Sequence, residues 1–380
     1  MCGDMMDNRD DIDGMDRDNY FQIEDGMSIE EREKFIDDVI RSKNEYLISK
    51  GYVIGSDGTI IAPDNKMSDG IIGFAVGDAL GVPVEFNSRN DLDNNPISDM
   101  IGYGNHLVPE GSFSDDTSLV LATMDSIIDS NEINYTDMMD KFYLWLENGK
   151  YSSLDTVFDV GITTKYSILR YKNGISPLAC GARDGNSNGN GSLMRMLPIA
   201  YYLYKNSYDF VSSIDVVNHV SSLTHGHEIS WLGCKIFCDY VYLLLDGVNK
   251  LDALDKLREY DYSRYYTIES IDEYKRILSG DIVNLSKDDI KSSGYIVDTL
   301  EASLWCLLNN DNYKDGVLSA VNLGGDTDTI GAITGGLCGI IYGKKQIPHE
   351  WLVKLRKRKY VEDMSREFSN LLNNGINKSR

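Results

Sequence analysis

The chain has little with which to hold an anionic polymer. Its 380 residues carry 37 Lys and Arg against 60 Asp and Glu, a formal net charge of −23 at pH 7. A surface basic enough to displace counterions is not expected, and nucleic acid drops out of the set of partners. No run of 18 apolar residues occurs, so no membrane span or membrane partner is expected. The six cysteines (2, 180, 234, 238, 306 and 338) are scattered; reduced thiols and an intracellular, cytoplasmic setting are the expectation. His225, His227, Cys234 and Cys238 sit close together in sequence, but both cysteines fall on a helical face with Leu232, Phe237 and Val241. Core packing accounts for them better than zinc does. The opening "MCGDMMDNRDDIDGMDRDNY" lacks the apolar and basic regions of a signal peptide.

What is present begins with acid. The first 38 residues hold fourteen Asp and Glu against four Lys and Arg, and they read as a disordered acidic tail. Ser28 with Glu31 three residues on forms a capping box ahead of a helix that carries Phe35, Ile36, Val39 and Ile40 on one face. "GYVIGSDGTIIAP" reads as a short hairpin turning at Asp57-Gly58. Residues 1–65 are therefore taken as an N-terminal extension, 66–360 as an all-α catalytic domain and 361–380 as a C-terminal helix or tail. Helical periodicity runs over 68–81, 116–130, 136–147, 155–172, 192–205, 210–223, 228–246, 296–309, 313–322 and 329–342. The polar stretch 247–293 reads as a connection with two short helices, and "KLRKRK" at 354–359 as a solvated helix face.

Two of these helices carry glycine every fourth residue: Gly73, Gly77 and Gly81, then Gly331, Gly335, Gly339 and Gly343. Each glycine inside a helix costs about 1 kcal/mol against alanine. Residues four apart share a face, so the stripes are expected to admit another backbone at close range.

Both glycine helices adjoin acid. "GSFSDDTSLVLA" places Ser114, Asp115, Asp116 and Thr117 at one helix start, and "GGDTDTIGA" places Asp326, Asp328 and Thr329 at another. One such residue is an N-cap, and acids there favour the helix dipole. Taken together they also suit one shared site. Two carboxylates 4 Å apart repel by about 4 kcal/mol at an effective dielectric near 20. Hard divalent cations, Mg²⁺, Mn²⁺ or Ca²⁺, would remove that cost. A metal pair could also activate water and bind a phosphate or sugar oxygen.

Three further stretches bear on chemistry. "GNGSLMRMLP" at 189–198 can present backbone N–H groups to an anion, or be a plain glycine-rich turn; it is neither a Walker sequence nor a G-x-G-x-x-G. "SLTHGHEISW" sets Thr224 and His225 before a helix, where the imidazole can bond a ribose hydroxyl or serve as a cap. In "GDALGVPVEF", Asp78 is expected to bond inward and Glu85 to stand free as a base or a contact to metal-bound water.

In order, "GIIGFAVGDALGVPVEF", "SDDTSLVLA", "GNGSLMRMLPIA", "SLTHGHEIS", "GYIVDTLEASLWCLL" and "AVNLGGDTDTIGAITGGLCGIIYG" resemble the ADP-ribosylglycohydrolase family, of the dinitrogenase-reductase-activating type. The resemblance spans about residues 66–343. It implies an all-α multi-helix fold and two divalent ions, most often Mg²⁺ with Mn²⁺ possible, at helix N-termini and loops. It also implies hydrolysis of the bond between the distal ribose of ADP-ribose and an acceptor, either a protein side chain or a small molecule. By the same resemblance Ser114, Asp115, Asp116, Asp326, Asp328 and Thr329 are metal ligands, with Ser114 where many members have threonine. Asn190, Gly191, Ser192, Leu193, Met194 and Arg195 form the diphosphate-and-ribose loop, and His225 faces the distal ribose. Glu85 is the acid on the loop over the metals, and Glu85 and Asp116 are the catalytic pair. A non-catalytic ADP-ribose binder and a dinuclear phosphohydrolase are the alternatives. A monomer is expected. Residues 1–65 and 247–293 have no counterpart.

Overall fold

The computed structural model describes residues 27–49, 53–54, 60–61 and 65–373. Two compact units divide at Asp64 and Asn65. In the first, Ile29–Ser49 is a helix, opened by the expected box: Ser28 N donates to Glu31 Oε2 at 2.8 Å and Glu31 N to Ser28 Oγ at 3.3 Å. Val53–Ile54 pairs antiparallel with Ile60–Ile61, which gives the expected hairpin; its Asp57-Gly58 turn and the acidic tail up to residue 26 lie outside the described residues.

Every regular element among the described residues of the second unit is a helix. At its centre lie the two glycine helices, Lys66–Gly81 and Thr327–Tyr342, packed antiparallel along their stripes. A Cβ on Gly77 would stand 2.0 Å from the carbonyl oxygen of Gly331, one on Gly73 2.4 Å from that of Gly335, and one on Gly81 2.2 Å from that of Thr327. The stripes therefore meet each other. Tyr313 Oη donates to Gly73 O at 2.6 Å and Thr327 Oγ1 to Gly81 O at 2.8 Å. The stretch Lys66–Val84 is long and apolar enough by composition to cross a membrane, yet 94% of it is buried inside the protein. Its hydrophobicity serves the core.

Around this pair the helices Asp115–Ser130, Leu197–Lys205, Glu228–Leu245, Ile296–Leu308 and Tyr313–Val321 complete the core. They bury Leu119, Ile199, Phe237, Leu304 and Val317.

Three expectations are corrected. The helix expected over 155–172 begins at Ile162; residues 155–161 stay irregular because Asp159 and the amide of Gly161 turn toward Asp115. The helix expected over 192–205 is a 3₁₀ turn, Asn190–Arg195, followed by a separate α-helix, Leu197–Lys205. Pro198 lacks an N–H and so suits a new helix start rather than a continuation. The boundary at 360 falls within the helix Arg358–Asn373, whose Val361, Phe368 and Leu372 are buried in the main core. The charges along that segment disguise its apolar face. The basic run before it lies at the surface, with Lys354 on Asp99 and Lys357 on Asp155.

Candidate active site

Capping alone does not explain the two acidic helix starts. At the first, Ser114 takes the cap: its Oγ accepts from Asp116 N at 3.2 Å. Asp78 secures the same turn from the glycine helix, accepting from Ser114 N at 2.9 Å, Thr117 N at 3.0 Å and Thr117 Oγ1 at 2.6 Å. This is the inward bonding its position promised. Asp115 and Asp116 are surplus to the cap. At the second start, Asp326 occupies the N-cap position, but its side chain makes no cap hydrogen bond. Its carboxylate instead takes the Asn190 amide at 2.7 Å.

The glycine seam brings the two starts together. Thr329 Oγ1 donates to Asp116 Oδ2 at 3.3 Å, and Ser114 Oγ to the same oxygen at 3.0 Å. Gly324 and Gly325, at φ +73° and +75°, let the chain fold back on the loop that follows the first glycine helix. Phe86 N donates to Gly325 O at 2.7 Å, and Gly325 N to Asn87 O at 2.8 Å. That pairing sets Glu85 beside the acids: ligand oxygens of Glu85, Asp326 and Asp328 lie within 4.8 Å of one another. A second group on the same scale joins Glu85 to His106 and Asp159, with His106 Nε2 hydrogen-bonded to Glu85 Oε2.

Burial and crowding set the electrostatics. Burial foremost, then the charges of Asp78, Asp115 and Asp326, hold the Asp116 carboxyl well above the usual range. Burial, then Glu85, Asp326, Asp116 and Asp159, do the same to Asp328. Burial and the charge of Asp159 raise Asp115, which hydrogen-bonds to Asp159. Glu85 is pushed up to about 7, by burial first and then by Asp159 and Asp326, against the hydrogen bond from His106. Asp116 Oδ1 and Asp328 Oδ1 are buried without any hydrogen-bond partner. Such oxygens cost about 1–3 kcal/mol each when unsatisfied, and a hard cation is the partner that carboxylate, hydroxyl and water oxygens suit. The donor set fits a divalent metal.

The loop 189–195 adjoins this pocket. Asn190 Nδ2 also donates to Thr299 Oγ1 at 2.9 Å. A Cβ on Gly191 would stand 2.7 Å from Thr164 Oγ1 and 2.9 Å from His225 Cε1, so His225 lies against this loop. Leu193 and Arg195 are fully enclosed, and Met194 and Ser192 are buried. Arg195 donates inward to Val220 O at 3.0 Å and Thr224 Oγ1 at 2.8 Å. These side chains support the loop from behind.

Three residues here escaped the sequence reading. His106 and Asp159 flank Glu85 from irregular loops, and Thr164 brings a buried, unpartnered hydroxyl against Gly191. His106 had one signal, as one of only five histidines in a Gly-, Asn- and Pro-bearing loop. Asp159 and Thr164 had none.

The ADP-ribosylglycohydrolase family model matches residues 61–377. The chain is 30% identical over 304 residues to ADP-ribosylarginine hydrolase Tri1 of Serratia proteamaculans (strain 568), covering 80% of this chain and 78% of that protein. It is 30% identical over 287 residues to ADP-ribosyl-[dinitrogen reductase] glycohydrolase of Rhodospirillum rubrum, covering 75% of this chain and 88% of that one. A solved structure titled ADP-ribosylglycohydrolase-related protein complex superposes with a TM-score of 0.68 at 27% identity, over 81% of this chain and 98% of that chain. With its acids gathered where a glycine seam opens, this all-α chain belongs to the ADP-ribosylglycohydrolase family, hydrolytic enzymes that cleave the glycosidic bond of ADP-ribose.

Proposed function

We propose that the acceptor is a protein arginine, and that two divalent ions, Mg²⁺ or in its place Mn²⁺, sit among Ser114, Asp115, Asp116, Asp326, Asp328 and Thr329. The arginine linkage is supported by the names of two relatives, the Tri1 hydrolases of Serratia proteamaculans and Pseudomonas putida. The single observation that carries the metal reading is the pair of buried, unpartnered oxygens, Asp116 Oδ1 and Asp328 Oδ1. When bound, hard cations neutralise these carboxylates and polarise ribose oxygens.

The residues of the chain do the rest. Loop 189–191 borders the diphosphate, and His225 the distal ribose. Glu85, with its carboxyl raised to about 7, exchanges a proton near neutral pH and takes one from the attacking water. The C1″–N bond breaks as the C1″–O bond forms; the electron pair leaves on nitrogen as neutral guanidine, which then takes up the proton that Glu85 removed from water. Asp116 assists by orienting that water. The proposal includes a monomeric enzyme in a reducing, cytoplasmic setting, supported by five buried free cysteines. Nucleic acid is left out of its partners on the strength of the net charge of −23, and membranes for want of a run of 18 apolar residues.

The test is incubation with arginine-, serine- and acetyl-linked ADP-ribose, with Mg²⁺ and with a chelator. Free ADP-ribose from the arginine conjugate alone, abolished by chelation, is the expected result. AMP would indicate cleavage of the diphosphate, release from another linkage would replace the acceptor, and no product with tight ADP-ribose binding would leave a binder.

A further inference from the structure

Arg195 is fully buried, pairs with no carboxylate among the described residues, and leaves Nε and Nη1 without hydrogen-bond partners. Its guanidinium lies over the Phe142 ring at 5.0 Å. A buried charge without a counter-ion is expensive, so a role beyond packing is to be sought. Among the described residues, the one side chain to which it donates is Thr224, through Nη2 at 2.8 Å. Thr224 Oγ1 in turn lies 2.9 Å from His225 Nδ1.

We infer that Arg195 and Thr224 are positioning residues that fix the tautomer of His225, so that its Nε2 carries the proton and donates to the bound sugar. Arginine can only donate, and a hydroxyl has a single proton to give. With one Thr224 lone pair filled by Arg195, the hydroxyl proton has His225 Nδ1 as its acceptor among the described residues. Were Nδ1 to carry the proton instead, the buried Thr224 hydroxyl would have none. Nδ1 therefore accepts, and the ring's N–H stands at Nε2. That edge lies against the loop: a Cβ on Gly191 would be 3.5 Å from Nε2 and one on Gly189 3.6 Å. Ser221 holds the His225 backbone from the other side, its Oγ donating to His225 O at 2.9 Å.

The electrostatics agree with the geometry. Burial first, then the nearby Arg195 charge, push His225 down to about 3, so the ring is neutral at physiological pH. Burial lowers Arg195 only to about 10, and it stays charged. A neutral ring with a fixed N–H donates to a hydroxyl without adding charge beside developing oxocarbenium character. The inference rests on the ADP-ribose reading for the identity of the sugar, while the tautomer is a property of the protein alone.

The test is nitrogen NMR of protein labelled at its five histidines, with His225 assigned by its disappearance in His225→Gln. In the ligand-free wild type, Nε2 should be protonated and Nδ1 not. In Thr224→Val the ring should average between tautomers and ADP-ribose should bind about tenfold more weakly, the worth of one hydrogen bond; Thr224→Ser should restore both. An Nδ1–H ring in the wild type, or an unchanged ring in Thr224→Val, overturns the inference. Because the wild-type spectrum needs neither substrate nor substitution, a variant that fails to fold leaves the test standing. The spectrum and the product assay fail separately: a wrong tautomer removes the relay whatever the enzyme cleaves, and absence of ADP-ribose release removes the functional reading.

Discussion

Asn190 donates its side-chain amide to the Asp326 carboxylate at 2.7 Å, and so ties the loop proposed to border the substrate to the acids proposed to hold metal. The same amide reaches Thr299 Oγ1 at 2.9 Å, so its orientation is fixed from two sides. On the proposed reading, substrate contact and metal geometry share one side chain.

Asn190→Ala should accordingly weaken Mg²⁺ binding about tenfold by freeing Asp326 to turn, as loss of a group that orients a metal ligand does elsewhere. Metal-free stability should drop by only about 1 kcal/mol. Calorimetric titration with Mg²⁺ and a denaturant melt in chelator read the two effects. Unchanged Mg²⁺ affinity in a folded variant would show that Asp326 needs no such support.

The crowded acids predict an inverted pH dependence for the metal-free protein. Asp115, Asp116 and Asp328 are held well above their ordinary values, Glu85 is raised to about 7 and Asp78 to about 6. The folded state thus binds more protons than the unfolded chain. Stability is fully present below the unfolded values near pH 4 and is lost as pH rises through the folded ones. His225, lowered to about 3, opposes this by at most one proton. Stability in chelator should therefore fall between pH 5 and 7, and saturating Mg²⁺ should flatten the fall by replacing the protons. Asp328→Asn should remove up to about 1.4 kcal/mol per pH unit from the slope, while losing most of the Mg²⁺ stabilisation and nearly all hydrolysis. Metal-free stability that climbs across this window would overturn the account.

The seam between the glycine helices predicts a sharp positional contrast. Gly77→Ala puts a Cβ 2.0 Å from a backbone oxygen that cannot move without shifting a helix, and should cost about 3 kcal/mol or more. Gly185→Ala meets nothing within 4 Å and should be neutral. Denaturant midpoints of the two proteins settle it; equal midpoints would mean that the helices can part at little cost.

Much of this was legible in the residues themselves. Asp115 and Asp116 stood out because Ser114 already supplies a cap, and Asp326 and Asp328 because a second helix start repeated the surplus. The glycine stripes signalled a close approach, since glycine is costly in a helix unless something needs the space. His106 and Asp159 gave no comparable sign. They act from irregular loops, where no period constrains a side chain, and Asp159 lay inside a segment whose apolar spacing resembled a helix. Arg195 shows a different limit: it is four residues from the loop glycine Gly191, yet the 3₁₀ turn of Asn190–Arg195 rotates its side chain inward. Position along a chain does not give direction without the turn that carries it.

The antiparallel seam also sets a timetable. Gly77 leaves the ribosome early, and its partner Gly331 follows roughly 250 residues later, a delay of roughly 12–50 s at ordinary rates of synthesis. Throughout that interval the glycine face of the first helix lacks its partner, and Asp115 and Asp116 have been made without the other half of their pocket. Every chain cut short before residue 331 lacks the seam and the second acid cluster's helix together. Premature termination can yield protein, but not a partly active enzyme.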